Sequence, residues 1–141
     1  MVLLLWAVIP VVMVLAALHL YWGLDGRWPG KNAEELATIV VGTRGRPMPG
    51  FAACAAVAFA LLVVAYILSI QLGAPRFGAP ESLWSLGYWG ACAVFLMRGT
   101  AAYLPWVFEY ARATRFFGLN RRLYGPLCLA IGTGMAMARL G

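Results

Sequence analysis

The sequence predicts an all-α integral membrane protein: a four-helix bundle with short interfacial helices in its two cytoplasmic loops. Three observations carry that expectation. Apolar residues make up 63% of the chain and charged residues 11%, against roughly 45–50% and about 25% in soluble domains. Four stretches approach the roughly 20 mostly apolar residues that a bilayer-spanning helix needs. The cationic residues crowd into the two connections on one side of those stretches. Together these observations exclude a soluble globular domain, a disordered chain and a small disulfide scaffold. Residues 1–141 are expected to form a single transmembrane domain.

The first span covers 2–22 and carries no charge, with His19 near its end. A secretory leader would open on basic residues and have a shorter apolar core, so this helix is expected to be retained. In the connection 23–49, Asn32 followed by Glu35 has the form of a capping box, and Leu36, Ile39 and Val40 recur at helical spacing. A short interfacial helix over about 32–42 follows, bounded by turns at Trp28-Pro29-Gly30 and at 47–50. The second span, 50–72, has no charge, and the third, 82–105, has only Arg98. The connection 106–120 carries Trp106, Tyr110 and Phe117 along one face, with Glu109 and Arg112 three apart, and reads as a second interfacial helix. The fourth span, 121–138, is shorter and is interrupted by Gly125-Pro126. Lipid offers the backbone no hydrogen bonds, so the spans are expected to be helices. The alternating short segments of a β-barrel are missing.

Orientation follows from the lysines and arginines. One side holds only Arg76 and Arg139; the other holds Arg27, Lys31, Arg44, Arg46, Arg112, Arg115, Arg121 and Arg122. The rich side is expected to be cytoplasmic, with both termini outside. The formal charge of +6 is then a matter of topology and of contact with anionic membrane lipids, and no nucleic-acid partner is implied. Trp6, Trp84 and Trp89 fall near one predicted interface, and Trp22, Trp28 and Trp106 near the other, as interfacial anchors do. Small residues recur four apart at Ala52/Ala56/Ala60, Gly87/Ala91, Ala130/Gly134 and Gly132/Ala136. Such rows allow close helix packing, either within one bundle or across a dimer face.

Polar side chains in or beside a span are costly and therefore informative. They concentrate toward the cytoplasmic side: His19, Tyr21, Arg98, Tyr103, Glu109, Thr114, Arg115, Asn120, Tyr124 and Cys128. Any site is expected to open there. Arg98 lies seven residues, about 10 Å of helical rise, from the end of its span. It either snorkels, pairs with Glu109, or holds an anion or a headgroup. His19 is the one histidine, and reads either as a hydrogen-bonded structural residue or as an acid/base group. Cys54, Cys92 and Cys128 lie in three different spans without metal-binding spacing and read as small buried hydrophobes. No metal and no cofactor is expected. Phosphate-binding glycine loops, HExxH and GxSxG are missing from the sequence.

Two stretches carry a resemblance. One runs His19-Leu20-Tyr21-Trp22-Gly23-Leu24-Asp25-Gly26-Arg27-Trp28-Pro29. The other is Thr114-Arg115-Phe116 followed by Leu119-Asn120-Arg121-Arg122-Leu123-Tyr124-Gly125-Pro126-Leu127-Cys128-Leu129. Their order and placement resemble a family of small, uncharacterised four-helix bacterial membrane proteins, a domain of unknown function. The resemblance covers essentially the whole chain. It implies a multi-pass protein of the bacterial inner membrane and flags His19, Trp22, Arg115, Tyr124, Pro126 and Cys128. The family pattern often has Asp at the position of Asn120 and Ser at that of Gly125. It implies no activity. Pro126 withholds a backbone N–H, so the motif reads either as a latch between the 106–120 connection and the bundle, with Arg115 or Tyr124 on the freed carbonyl, or as the wall of a pocket.

Two functions compete at this point. The first is a non-enzymatic accessory or scaffold subunit, partnered by a larger membrane complex or a second copy. The second is a binding protein or enzyme for a lipid or hydrophobic small molecule. Its polar pocket would be built from His19, Trp22, Arg98, Glu109, Arg115, Asn120, Tyr124 and Cys128 at the cytoplasmic leaflet. A transporter is the weaker third reading, since four spans show no inverted repeat.

Overall fold

The computed structural model of the chain describes residues 2–141. It is all-helical, with no strand among the described residues. A 3-10 turn at Val2–Leu4 leads into α1 (Leu5–Gly23); α2 (Ala33–Val40) is short; α3 (Phe51–Ile70) and α4 (Glu81–Ala101) are long. After a 3-10 turn at Glu109–Ala111, α5 (Arg115–Leu119) passes through a π turn at Asn120–Tyr124 into α6 (Gly125–Leu140). The helix expected to open at 121 thus begins six residues earlier, at Arg115. No separate helix spans 106–120: its tail became the first turn of that long helix, and its head is the 3-10 turn. The helix expected over 82–105 ends at Ala101, so Arg98 sits in the last turn of α4 and not about 10 Å from its end.

Three helical stretches are long and apolar enough to cross a membrane: Val2–Gly23, Phe51–Ile70 and Arg115–Leu140. α4 has the length, at 21 residues, but is not among the three. Its glycines, serines, tryptophans and Arg98 dilute the leucines and alanines. The outward faces of the long helices stay apolar: Trp6 is 65% exposed, Phe59 69% and Leu86 69%. A helix apolar around its whole circumference lacks a water-facing side.

α1 packs most closely on α3 and α4 on α6, and lesser contacts join α3 to α4 and α1 to α6. The core is made by Leu5, Val12, Leu68, Tyr88 and Met135, drawn from all four long helices. It lies toward the chain termini, at the end away from most of the cations. Polar groups buried in this region bond backbone across the α4–α6 contact. Tyr88 hydroxyl donates to the Met135 carbonyl at 2.7 Å, and Cys92 Sγ to the Gly132 carbonyl at 3.2 Å. Cys54, Cys92 and Cys128 are free thiols.

Glycine sets the α4–α6 approach. A Cβ on Gly99 would lie 2.9 Å from the Gly125 carbonyl oxygen and 2.6 Å from Leu129, and one on Gly132 would meet Leu96 at 2.8 Å. Gly87 faces Ile67 of α3 and Gly134 faces Val8 of α1. These glycines therefore face neighbours inside the chain, although Ala130, four residues before Gly134, is exposed. Ala52, Ala56 and Ala60 of α3 point outward instead.

A paired substitution tests this packing. Gly99→Ala should destabilise by about 2 kcal/mol through overpacking against backbone. Gly90→Ala, where no atom lies within 4 Å, should leave stability unchanged or raise it by up to about 1 kcal/mol through helix propensity. Thermal unfolding in a mild detergent reads both; equal effects would remove the glycine contact as the determinant.

Candidate functional site

The polar residues gather at the end of the molecule where α1 and α4 finish and α3 and α6 begin. Both long connections lie there, with Arg27, Lys31, Arg44, Arg46, Arg112, Arg115, Arg121 and Arg122. Three groupings form, and they are separate.

The first grouping is a turn that closes on itself. His19 Nδ1 donates to the Leu15 carbonyl at 2.7 Å. The His19 and Trp22 rings meet edge to face at 5.2 Å. Trp22 Nε1 donates to the Trp28 carbonyl at 2.8 Å, and the Tyr21 hydroxyl accepts from the Arg27 and Trp28 N–H groups at 3.3 Å each. The aromatic residues of the His19–Pro29 stretch thus hold its own loop in place.

The second grouping seats α2. Asn32 Oδ1 caps the helix by accepting from the Glu35 N–H at 2.8 Å, and Glu35 Oε2 accepts from the Lys31 N–H at 2.7 Å, an arrangement close to a capping box. The far end of α2 closes on Gly42, whose φ of +88° suits only glycine without strain. A Cβ there would also lie 2.5 Å from Ala111 and 2.8 Å from Phe116. Carbonyls at a helix C-terminus lack intrahelical partners, and tyrosines supply them. Tyr124 hydroxyl donates to the Ile39 carbonyl at 3.2 Å, and Tyr110 hydroxyl to that of Val41 at 3.1 Å. The Arg44 guanidinium donates to the Ala113 carbonyl. Arg115 lies 4.0 Å from Glu35, on the surface, where such a pair is worth about 0–1 kcal/mol.

The third grouping surrounds Arg98. Its Nη2 donates to Asn120 Oδ1 at 2.8 Å, and the Phe108 ring covers its guanidinium at 5.0 Å. Glu109, the partner expected from sequence, is exposed and forms no ion pair with it. The reason is local: the turn after α4 lays Phe108 over the arginine, so the next residue points away. The π turn places Asn120 here. It inserts one residue into the helix, and the Gly125 N–H bonds the Asn120 carbonyl, five residues back. Pro126 has no N–H for the Arg121 carbonyl, and Tyr103 hydroxyl bonds that carbonyl at 3.1 Å. Arg121 in turn donates through Nε to the Ala102 carbonyl at 3.3 Å. Tyr103, and not Arg115 or Tyr124, completes the helix at the proline. Cys128 is half-buried on α6.

No hydrogen bond, ion pair or ring contact among the described residues links His19 or Trp22 to Arg98 or Asn120. The described residues contain no trio of His, Cys, Asp or Glu poised to hold a metal. Sequence reading passed over Phe108 and gave Tyr110 only to a helix face. Nothing local marks either, since an aromatic side chain in a connection carries no sign of what it covers. What the geometry offers chemically is a surplus of hydrogen-bond donors on Arg98 and Asn120.

A sequence model of the family described as Protein of unknown function (DUF3995) matches residues 12–135. The chain belongs to that family, as the resemblance implied. No curated protein and no solved structure matches it.

The tyrosine contacts are testable. Tyr124→Phe and Tyr110→Phe should each cost about 1 kcal/mol. Both should raise amide hydrogen exchange in 33–42 while leaving α4 and the core of α6 protected. Unchanged exchange in α2 would show that its seat does not depend on those hydroxyls.

Proposed function

We propose that this DUF3995 protein is a small multi-pass protein of the bacterial inner membrane that serves as a non-enzymatic accessory subunit, holding a second membrane helix against α3. In this reading α4 crosses the bilayer with the three more apolar helices, as a four-helix bundle. The basic end is cytoplasmic, α2 lies in the interface there, and both termini are outside. The antiparallel order of the long helices supports the orientation, because it collects eight of the cations at one end and leaves Arg76 and Arg139 at the other.

The observation that carries the subunit role is the outward face of α3. Glycines on α4 and α6 are used inside the chain, whereas Ala52, Ala56 and Ala60 are exposed. They stand opposite Cys54, Ala58 and Ala65, which pack inward. Helices in lipid gain no hydrophobic drive to associate and rely on close backbone approach over small residues. A smooth alanine strip bordered by Phe51 and Phe59 suits a crossing helix, from a larger complex or from a second copy.

Extraction in native lipid particles and mass measurement test the role. The expected product is a discrete complex heavier than the 15.3 kDa chain. Ala56→Leu should weaken it about tenfold or more, while Val94→Leu, on the exposed face of α4, should leave it intact. A monomer in wild type, or indifference to Ala56→Leu, rejects the reading. Orientation is read separately: a periplasmic reporter enzyme fused after Gly141 should be active, and one fused at Arg112 inactive.

A further inference from the structure

We infer that Arg98 and Asn120 together form a binding site for one phosphate oxyanion at the basic end of the helices. The observation is an excess of donors on buried atoms. Arg98 Nη2 and Asn120 Oδ1 satisfy each other at 2.8 Å. Arg98 Nη1 and Asn120 Nδ2, one at each end of that bond, are buried and have no partner among the described residues. Asn120 itself is 1% exposed. The two donors come from different helices, α4 and the π turn, and the Gly99–Gly125 approach holds those helices together.

Charge narrows the ligand. The guanidinium is always protonated, and its contacts are an amide oxygen and the Phe108 ring. No carboxylate pairs with it: the two ion pairs among the described residues are Glu81 with Arg76 and Glu35 with Arg115. A buried donor without an acceptor is costly, and more so beside an uncompensated cation. Water would supply acceptors and leave the charge. An oxyanion supplies negative charge and several acceptors in one compact group, and arginine's fork matches it. Phosphate is the oxyanion favoured by position. Arg98 lies in the last turn of α4, at the end rich in cations, which in the orientation proposed above is the depth of the lipid headgroups. The phosphate comes either from a lipid phosphodiester or from the free anion. This site goes beyond the accessory role and uses a different face of the molecule.

The test uses the full chain in a non-ionic maltoside detergent. Inorganic phosphate is titrated against chloride at constant ionic strength; in a parallel series phosphatidylglycerol is added to the micelles. The wild-type Tm should rise by about 5 °C at saturation with one or both probes. Asn120→Asp is the decisive variant. Its carboxylate keeps the bond to Arg98, neutralises it and removes the free amide donor, so the protein should fold and lose the shift. Arg98→Gln should lose it too. A response to lipid alone identifies a headgroup site, and one to free phosphate alone a soluble-anion site; either supports the proposal. A wild type that responds to neither probe, or an Asn120→Asp variant that responds as wild type does, overturns it. A shift with free phosphate in micelles does not depend on which way the protein faces, so failure of the orientation would leave it standing.

Discussion

The close approach of α4 and α6 is the constraint on which the rest of the molecule depends. Gly99, Gly125 and Gly132 let two backbones come within the reach of a single Cβ. Only at that separation can Tyr88 reach the Met135 carbonyl and Cys92 that of Gly132. The same contact brings Asn120 to Arg98, and Tyr103 to the Arg121 carbonyl. Polar groups on apolar helices have few partners, so the helices are registered by the partners they find on each other. Apolar packing toward the termini and polar bonding at the basic end are two results of one crossing.

The break in the α5–α6 helix belongs to this arrangement. Pro126 deprives the preceding turn of an N–H, and the π turn at Asn120–Tyr124 adds a residue in the same place. Both disturbances are met from outside the helix: Tyr103 and Arg121 tie it to the end of α4, and Tyr124 ties it to the last carbonyls of α2. The motif from Thr114 to Leu129 is therefore a junction of three chain segments. The His19–Pro29 motif is different, since its hydrogen bonds stay within its own turn. Two stretches of similar prominence in the sequence do unlike things: one joins distant parts, and the other stiffens a corner.

The cap of α2 was legible because Asn32 and Glu35 need only each other and local backbone to act. Arg98 was legible as costly, since a charge in an apolar run is anomalous whatever surrounds it. Its partner was not. The sequence offered Glu109 by charge, and the fold supplied Asn120 by geometry, 22 residues away. Tyr103 is visible in the sequence as a polar residue near the basic end, but nothing there sets it apart from Arg115 or Tyr124 as the partner of a carbonyl near Pro126. The start of the last helix was misplaced by six residues because the arginines of 115–122 look like a connection. They tolerate helix well, and the helix reaches past the apolar run.

What the sequence determined by itself was the helical class, the apolar stretches, the segregation of charge to one end and the family. These depend on composition, on periods along the chain and on order, all of which are local or additive. The tertiary structure alone decided which small residues pack inward and which face out. It also decided which tyrosine meets which carbonyl, and that Arg98 and Asn120, bonded to each other, each keep a buried donor without a partner. Those outcomes depend on the spacing of two backbones, set by glycines on both helices at once, and no single segment of the chain contains that distance.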